Sequence, residues 1–278
     1  YPEREQQRDN AEIQIVRLYS ALCADGIVFN SAFNRRTFLA GAAALLERLP
    51  DHVPKGLLER LEASEVLPVP LTAPSAAASN SLERGASPVL EVVWNHRWEY
   101  DKGPSLLLEA VRLLVAMKLP LRLHLAGQQF RDRPAEFDEV LELLAAHCDG
   151  LGIAPGVSGY LESPADYAAL ISRCDVVLST ASHDFQGLAM QEGALRGCAP
   201  LAPADLVYPE YLPATNLYTR EHDDASTALG LVAKLEEWQR EKAAGRALPL
   251  VDLQHLADHT LATAYRRLFE ETRSRTQY

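Results

Sequence analysis

The sequence predicts an α/β protein built on a parallel sheet with helices on both faces. Two observations carry this. Short apolar strand runs alternate with helical segments all along the chain from Val89, and alternation of that kind makes consecutive strands parallel. Two of the strand runs also end in polar, glycine-containing bends, at Asn95–Gly103 and at Ser179–Gly187, as in open sheets that bind ligands at their strand ends.

The elements follow in order. Residues Asn10 to Ala24 are helical in composition, after a charged opening from Tyr1. Gly26-Ile-Val-Phe-Asn-Ser31 reads as a short buried strand. Phe38, Leu39, Ala42, Leu45, Leu46 and Leu49 recur at helical spacing, so Phe33 to Leu49 is a helix that Pro50 stops. A turn over 51–54, a short helix over 55–63 and a strand over Val66–Val69 complete this part. The stretch 73–86 is small, polar and unpatterned, and reads as a linker or mobile loop. Beyond it come a strand to Trp94, a helix over 105–117, a strand over 121–126 and a helix over 135–147. Then follow a strand reaching Gly159, a helix over 165–173, a strand over 175–180 and a helix over 187–196. Two long amphipathic helices, 226–244 and 251–275, close the chain.

Composition narrows the function. With 47% hydrophobic and 23% charged residues the chain is in the range of soluble globular proteins, and no apolar run is long enough to span a membrane. The 278 residues allow two domains. A first residue other than Met points to a fragment or a processed chain, and no secretory leader pattern is present. The net charge of −11 gives no diffuse attraction for nucleic acid or anionic lipid, so a polyanion would need a local basic patch. Arg35, Arg36, Arg131 and Arg133 are the candidates for one. Four cysteines, far apart and without a Cys-x-x-Cys pair, read as reduced thiols of a cytoplasmic protein.

Chemistry concentrates in two loops. In Trp94-Asn-His-Arg-Trp-Glu-Tyr-Asp-Lys-Gly103, Arg97 and Lys102 flank a turn at a strand's carboxyl end. They can converge on a phosphate, or pair on the surface with Glu99 and Asp101; taken alone, the loop favours the pairs. Trp94 and Trp98 flank Arg97 and could stack on a base, but core packing and a cation–π contact with Arg97 are favoured. The second loop runs from Ser179 through Asp184 and Gly187 into a helix carrying Glu192. A strand, a tight loop and a helix start offer free backbone N–H groups to an anion. An ordinary βα unit with solvated acids would show the same residues. His255 and His259, four apart, lack the Glu of a zinc-protease helix and are set aside as metal ligands, as is His124 in its strand. No Gly-x-Gly-x-x-Gly or phosphate-loop string occurs.

Together the Arg-x4-Lys-Gly and Asp184-x7-Glu192 loops resemble the nucleotide-sugar domain of retaining, GT-B type glycosyltransferases, in which the second motif is a pair of glutamates. Phe29-Asn-Ser-Ala-Phe-Asn34, Leu49-Pro-Asp-His-Val-Pro-Lys55, Trp94-Asn-His-Arg-Trp-Glu99, Ser179-Thr-Ala-Ser-His183 and Asp205-Leu-Val-Tyr-Pro-Glu210 resemble the glycosyltransferase-like domain-containing proteins, the tRNA-queuosine α-mannosyltransferases. The resemblance extends from Phe29 to Tyr218.

It implies a GT-B fold in which residues 1–72 are the remainder of an N-terminal, acceptor-side Rossmann-like domain. Residues 87–250 would be the nucleotide-sugar domain, and 251–278 a C-terminal helix that can pack back on the N-terminal part. It implies transfer of a hexose, mannose from GDP-mannose, with retention, to an acceptor such as queuosine in tRNA. Arg97 and Lys102 would hold the donor diphosphate, with the backbone N–H groups of Gln186, Gly187 and Leu188 beside Phe185. Asp184 would contact the transferred sugar, one methylene shorter than the family's glutamate, and Glu192 the ribose. Tyr160 and Leu161 would pack the base, and Asn95 and His96 would touch the sugar or the phosphates. No Asp-x-Asp pair is present, so no metal cofactor is expected. A non-catalytic nucleotide-sugar module, and a lipid or small-metabolite acceptor, are the alternatives.

Overall fold

Strand β3, Leu90–Trp94, is apolar at nearly every position because it lies inside a parallel sheet whose two faces are both covered. In the computed structural model, which describes residues 11–49, 55–72 and 87–276, β3 pairs with β4 (Leu121–Ala126) on one side and β6 (Val176–Leu178) on the other. The six-stranded order is β5-β4-β3-β6-β7-β8, where β5 is Ser158–Gly159, β7 Ala199–Pro203 and β8 Leu217–Tyr218. Every pairing is parallel. The order reverses at β3, so the crevice at the carboxyl ends of β3 and β6 is the topological switch point.

The chain divides into two compact units. One holds the described residues through Thr72 together with those from Gln254 onward, and the other runs to Leu253. In the first, helices α1 (Ala11–Cys23), α2 (Ala32–Arg48) and α3 (Leu57–Glu62) pack around Leu18, Ala42, Leu45, Leu46 and Leu61, beside a two-stranded parallel ladder of β1 (Val28–Phe29) and β2 (Glu65–Val66). Ser31 caps α2 by accepting the Asn34 N–H at 2.9 Å, which satisfies one of the free donors of the helix start. The C-terminal helix α9, Asp258–Thr276, belongs to this unit, and its Tyr265 hydroxyl donates to the Pro68 carbonyl.

In the second unit, α4 (Pro104–Met117), α5 (Glu136–Leu151), α6 (Pro164–Arg173), α7 (Leu188–Leu195) and α8 (Asp224–Ala243) flank the sheet. One core joins Leu90, Val92, Trp94 and Trp98 to Leu107, Leu114, Phe137, Leu231 and Trp238. Burying each of these large side chains contributes roughly 1.5–3 kcal/mol, so this core fixes the strand ends that carry the site loops. Trp94 and Trp98 are fully buried, as the packing alternative required. The guanidinium over Trp98 is that of Arg133, at 5.2 Å, where the sequence suggested Arg97.

Several expectations give way. Strand β7 was invisible in the sequence because Pro200 and Pro203 argue against a strand flanked on both sides. The structure accommodates them because each proline is paired on one side only. Pro200 pairs with β6 but lies short of the β8 pairing, where its carbonyl accepts from the Asn216 side chain at 2.9 Å. Pro203 pairs with β8 but lies beyond the β6 pairing, which ends at Leu201. The runs expected over 26–31, 66–69 and 153–159 shrink to two-residue strands, each beside proline or polar residues. The closing helix begins at Asp258 and not at Val251; a 3-10 turn at Gln254–Leu256 precedes it. His255 therefore lies off the helix that carries His259. The opening segment before Ala11, the turn over 51–54 and the linker over 73–86 lie outside the described residues. All four cysteines are free, and Cys148, Cys174 and Cys198 are buried. Among the described residues no helix is long and apolar enough to cross a membrane, and no three His, Cys, Asp or Glu side chains gather as a metal site.

Candidate functional site

The ends of β3, β4 and β5 open into a cleft of about 360 Å³. Asn95, His96 and Arg97 follow β3, Ala126 ends β4 with Gly127 and Gln128 after it, Tyr160, Leu161 and Glu162 follow β5, and Pro164 and Tyr167 belong to α6. The sequence had named five of these: Asn95, His96, Arg97, Tyr160 and Leu161.

The second loop meets the first by backbone contact. The N–H groups of Ser182 and His183 both donate to the Asp101 carbonyl, at 3.0 and 3.1 Å. The Thr180 hydroxyl donates to the Lys102 carbonyl at 2.7 Å and accepts from the Trp94 indole N–H at 2.9 Å. Gly103 is needed here. Its φ is +65°, and a Cβ would stand 2.0 Å from the Thr180 carbonyl oxygen.

Lys102 is consequently well inside the protein, with its side chain 12% exposed. Its ammonium donates to the His183 carbonyl at 3.1 Å and lies 3.2 Å from Asp101 and 3.7 Å from Asp184. Arg97 is different. Its side chain is 55% exposed and rests on Glu99 at 3.1 Å, the surface pair the sequence had left open. Exposed pairs of this kind contribute roughly 0–1 kcal/mol, so an anion in the cleft can recruit the guanidinium at little cost.

Asp184 occupies a position the sequence did not anticipate. Its Oδ1 accepts the Gly187 N–H at 3.0 Å and its Oδ2 accepts the Tyr208 hydroxyl at 3.1 Å. The Gly187 N–H, expected to be free for a phosphate, is engaged by this acid. Burial works to raise the Asp184 pKa, but the Lys102 charge, the Gly187 N–H and the Tyr208 hydroxyl outweigh it and hold the carboxyl below its usual value. Gly187 has φ +74°, and a Cβ would lie 2.4 Å from the Tyr211 hydroxyl, so only glycine fits the turn into α7.

The remaining expected residues distribute around this turn. Gln186 is buried, and its carboxamide donates to Gln191 Oε1 while Gln191 donates back to the Gln186 carbonyl, both at 2.9 Å. Leu188 opens α7 with its side chain 43% exposed. Phe185 packs edge-on against His183 with ring centroids 4.5 Å apart. Glu192 accepts the Tyr167 hydroxyl at 3.0 Å and sits 3.5 Å from Arg196.

Tyr167 is the residue the sequence missed. Asn95 donates to its hydroxyl at 3.0 Å, and to the Ala189 carbonyl at 3.2 Å, so Tyr167 joins the β3 loop to Glu192 on α7. Burial first, then the Glu192 charge, raise its pKa, and it stays a neutral donor. Its signal was position alone: it lies on the first turn of a helix that follows the Gly159-Tyr160 bend. Tyr208 likewise stood in the Asp205–Glu210 string with no role attached.

His96 is fully buried, and burial together with the Lys102 charge pushes its pKa down to about 4, against the pull of Asp184, the Leu178 carbonyl and Asp101. A neutral imidazole offers a hydrogen bond and no charge. The Nε2 of His96 and the Oδ1 of Asn95 have no partner among the described residues.

The arginines proposed as a polyanion patch are partly consumed. Arg35 donates to the Ser64 and Glu62 carbonyls, and Arg133 pairs with Asp138.

Comparison with known proteins gives consistent results. A family model described as the tRNA-queuosine alpha-mannosyltransferase N-terminal region matches residues 1–71. The tRNA-queuosine alpha-mannosyltransferase of Drosophila melanogaster is 32% identical over 225 residues, covering 78% of this chain. The chain spans 58% of that relative's length. Anabaena Alr3699/HepE, solved with UDP and glucose, superposes with a TM-score of 0.60 at 18% identity, over 95% of this chain and 67% of that one. The pneumococcal O-GlcNAc transferase GtfA, solved with UDP and GlcNAc, gives 0.59 at 14% identity, over 92% and 47%. The parallel sheet with its flanking helices is thus of GT-B type, and the chain belongs to the tRNA-queuosine alpha-mannosyltransferase family.

Proposed function

We propose that this chain carries the donor half of a retaining hexosyltransferase that moves mannose from GDP-mannose to queuosine in tRNA, acting in the cytoplasm. The observation that carries it is the junction of the two loops: the Lys102 ammonium lies 3.7 Å from Asp184, Asp184 holds the Gly187 N–H at the start of α7, and Arg97, on the same loop as Lys102, lines the cleft. The C1–O bond of the donor breaks there and negative charge develops on the departing diphosphate. Arg97, Lys102 and the α7 N-terminus stabilise that charge, each worth on the order of 2–4 kcal/mol in the transition state. Glu192, held by Tyr167, faces the ribose. Asp184 meets the sugar. Residues through Thr72 form the rest of an acceptor-side domain, with helix α9 (Asp258–Thr276) in the same unit, and 87–250 form the donor domain. No metal takes part, because the cations replace it.

A nucleotide-sugar donor agrees with the UDP found in the two solved structures of this fold. A second reading, a module that binds the nucleotide sugar without turnover, draws support from Asp184, whose two oxygens already serve Gly187 and Tyr208. Incubation with GDP-mannose and queuosine-containing tRNA separates the two. Mannosylated tRNA supports the enzyme, tight binding without product supports the module, and no affinity for any nucleoside diphosphate sinks both.

A further inference from the structure

Glu162 lines the same cleft and forms no hydrogen bond or ion pair among the described residues. A bare carboxylate is a poor neighbour for a diphosphate, since like charges repel. Exposed at the cleft rim, it is free to accept from a donor-rich part of what the cleft receives. Beside it stands Tyr160, an aromatic ring left 63% exposed at the cleft wall, which is the kind of surface on which a nucleobase stacks.

We propose that Glu162 reads the nucleobase and selects guanine; this rests on the donor-binding reading above and adds the residue that sets base choice. The argument is one of donor and acceptor patterns. Guanine presents two adjacent donors on its pairing edge, N1–H and the N2 amino group, and a carboxylate with two acceptor oxygens matches both at once. Uracil presents one N–H between two carbonyl oxygens, each of which a carboxylate repels. Adenine and cytosine each place a ring acceptor beside their amino donor, so one carboxylate oxygen is always opposed. Stacking on Tyr160 holds any base equally well, because every base has a π face. Discrimination therefore falls to Glu162, with the Gln128 carboxamide on the neighbouring strand end as a group able to serve either a donor or an acceptor.

The substitution Glu162→Gln keeps size and shape but turns one acceptor into a donor, which then opposes the N2 amino group. Glu162 is exposed on a loop, so the variant folds as the parent does. Calorimetry with GDP, IDP (which lacks the N2 amino group) and UDP reads the result. The parent should bind GDP tenfold or more tightly than IDP or UDP. In Glu162→Gln the GDP affinity should fall at least tenfold, and the difference between GDP and IDP should vanish. A parent that prefers UDP, or a variant that keeps the preference for GDP over IDP, overturns the inference and leaves the donor site standing. Equal weakening of GDP and UDP also overturns it, since the carboxylate would then be meeting the ribose. Failure of the parent to bind any of the three overturns the donor site and this inference together.

Discussion

The Lys102 ammonium lies 3.7 Å from the Asp184 carboxylate, with both side chains largely shielded from water at 12% and 16% exposure. Asp101 closes the same ammonium from another side at 3.2 Å. One cation thus faces two acids, and a diphosphate arriving here must compete with Asp184 for it. Replacing Asp184 by Asn keeps an acceptor for the Gly187 N–H and removes the competing charge. GDP binding should tighten by on the order of 1 kcal/mol. Sugar transfer should fall on the order of a hundredfold if the acid also acts on the transferred sugar. Calorimetry and a turnover assay on the same preparation check both halves; weakened GDP binding would contradict the competition.

Arg97 offers a cleaner test than Lys102, because taking away a shielded ammonium leaves two acids uncompensated and costs stability as well as binding. The Arg97–Glu99 pair is exposed, so Arg97→Ala should change the unfolding free energy by no more than about 0.5 kcal/mol. GDP affinity should drop by roughly thirtyfold, about 2 kcal/mol, if the guanidinium leaves Glu99 for the diphosphate. Chemical denaturation and calorimetry distinguish the effects. Unchanged affinity would assign Arg97 to the surface alone.

How far the sequence disclosed this site depends on whether a residue's role is local. Arg97, Lys102 and Gly187 could be named as candidates because a bend after a strand gathers its polar groups within ten residues. Asp184 was readable as a candidate, but its partner Tyr208 is 24 residues away, and no local pattern connects them. Tyr167 was hidden for the same reason, lying 72 residues from Asn95 and 25 from Glu192. In the fold, helices and the central strands followed from apolar spacing. β7 did not, since two prolines speak against a strand until the neighbour that spares their missing N–H groups is known.

Tyr167→Phe removes a single oxygen that accepts from Asn95 and donates to Glu192. Asn95 keeps its bond to the Ala189 carbonyl, so the loop should hold its place. Loss of the two bonds should cost roughly 1–2 kcal/mol of stability, measured by urea unfolding. Glu192 would also lose the donor that orients it, and affinity for GDP should fall while affinity for inorganic pyrophosphate, which has no ribose, stays as it was. Equal losses for both ligands would remove Glu192 from the ribose contact.

His96 gives the protein a pH dependence whose sign is fixed. Its pKa in the fold is about 4, set first by burial and then by Lys102, with Asp184 and Asp101 pulling the other way, whereas a free histidine titrates near 6.5. Below pH 6.5 the unfolded chain takes up a proton that the folded chain refuses. Stability from this group is therefore complete above about 6.5, declines as pH falls, and is gone below about 4. The slope is one proton, so the total is on the order of 3 kcal/mol. Asp184, with its lowered pKa, adds a loss of the same sign at still lower pH. Urea unfolding of the parent and of His96→Gln between pH 7 and pH 4.5 isolates the histidine, because every other group titrates in both. The parent should lose stability more steeply by about one proton's slope. Parallel curves would mean that the buried imidazole is protonated within the fold, and the neutral hydrogen-bonding role assigned to it beside Lys102 would have to be abandoned.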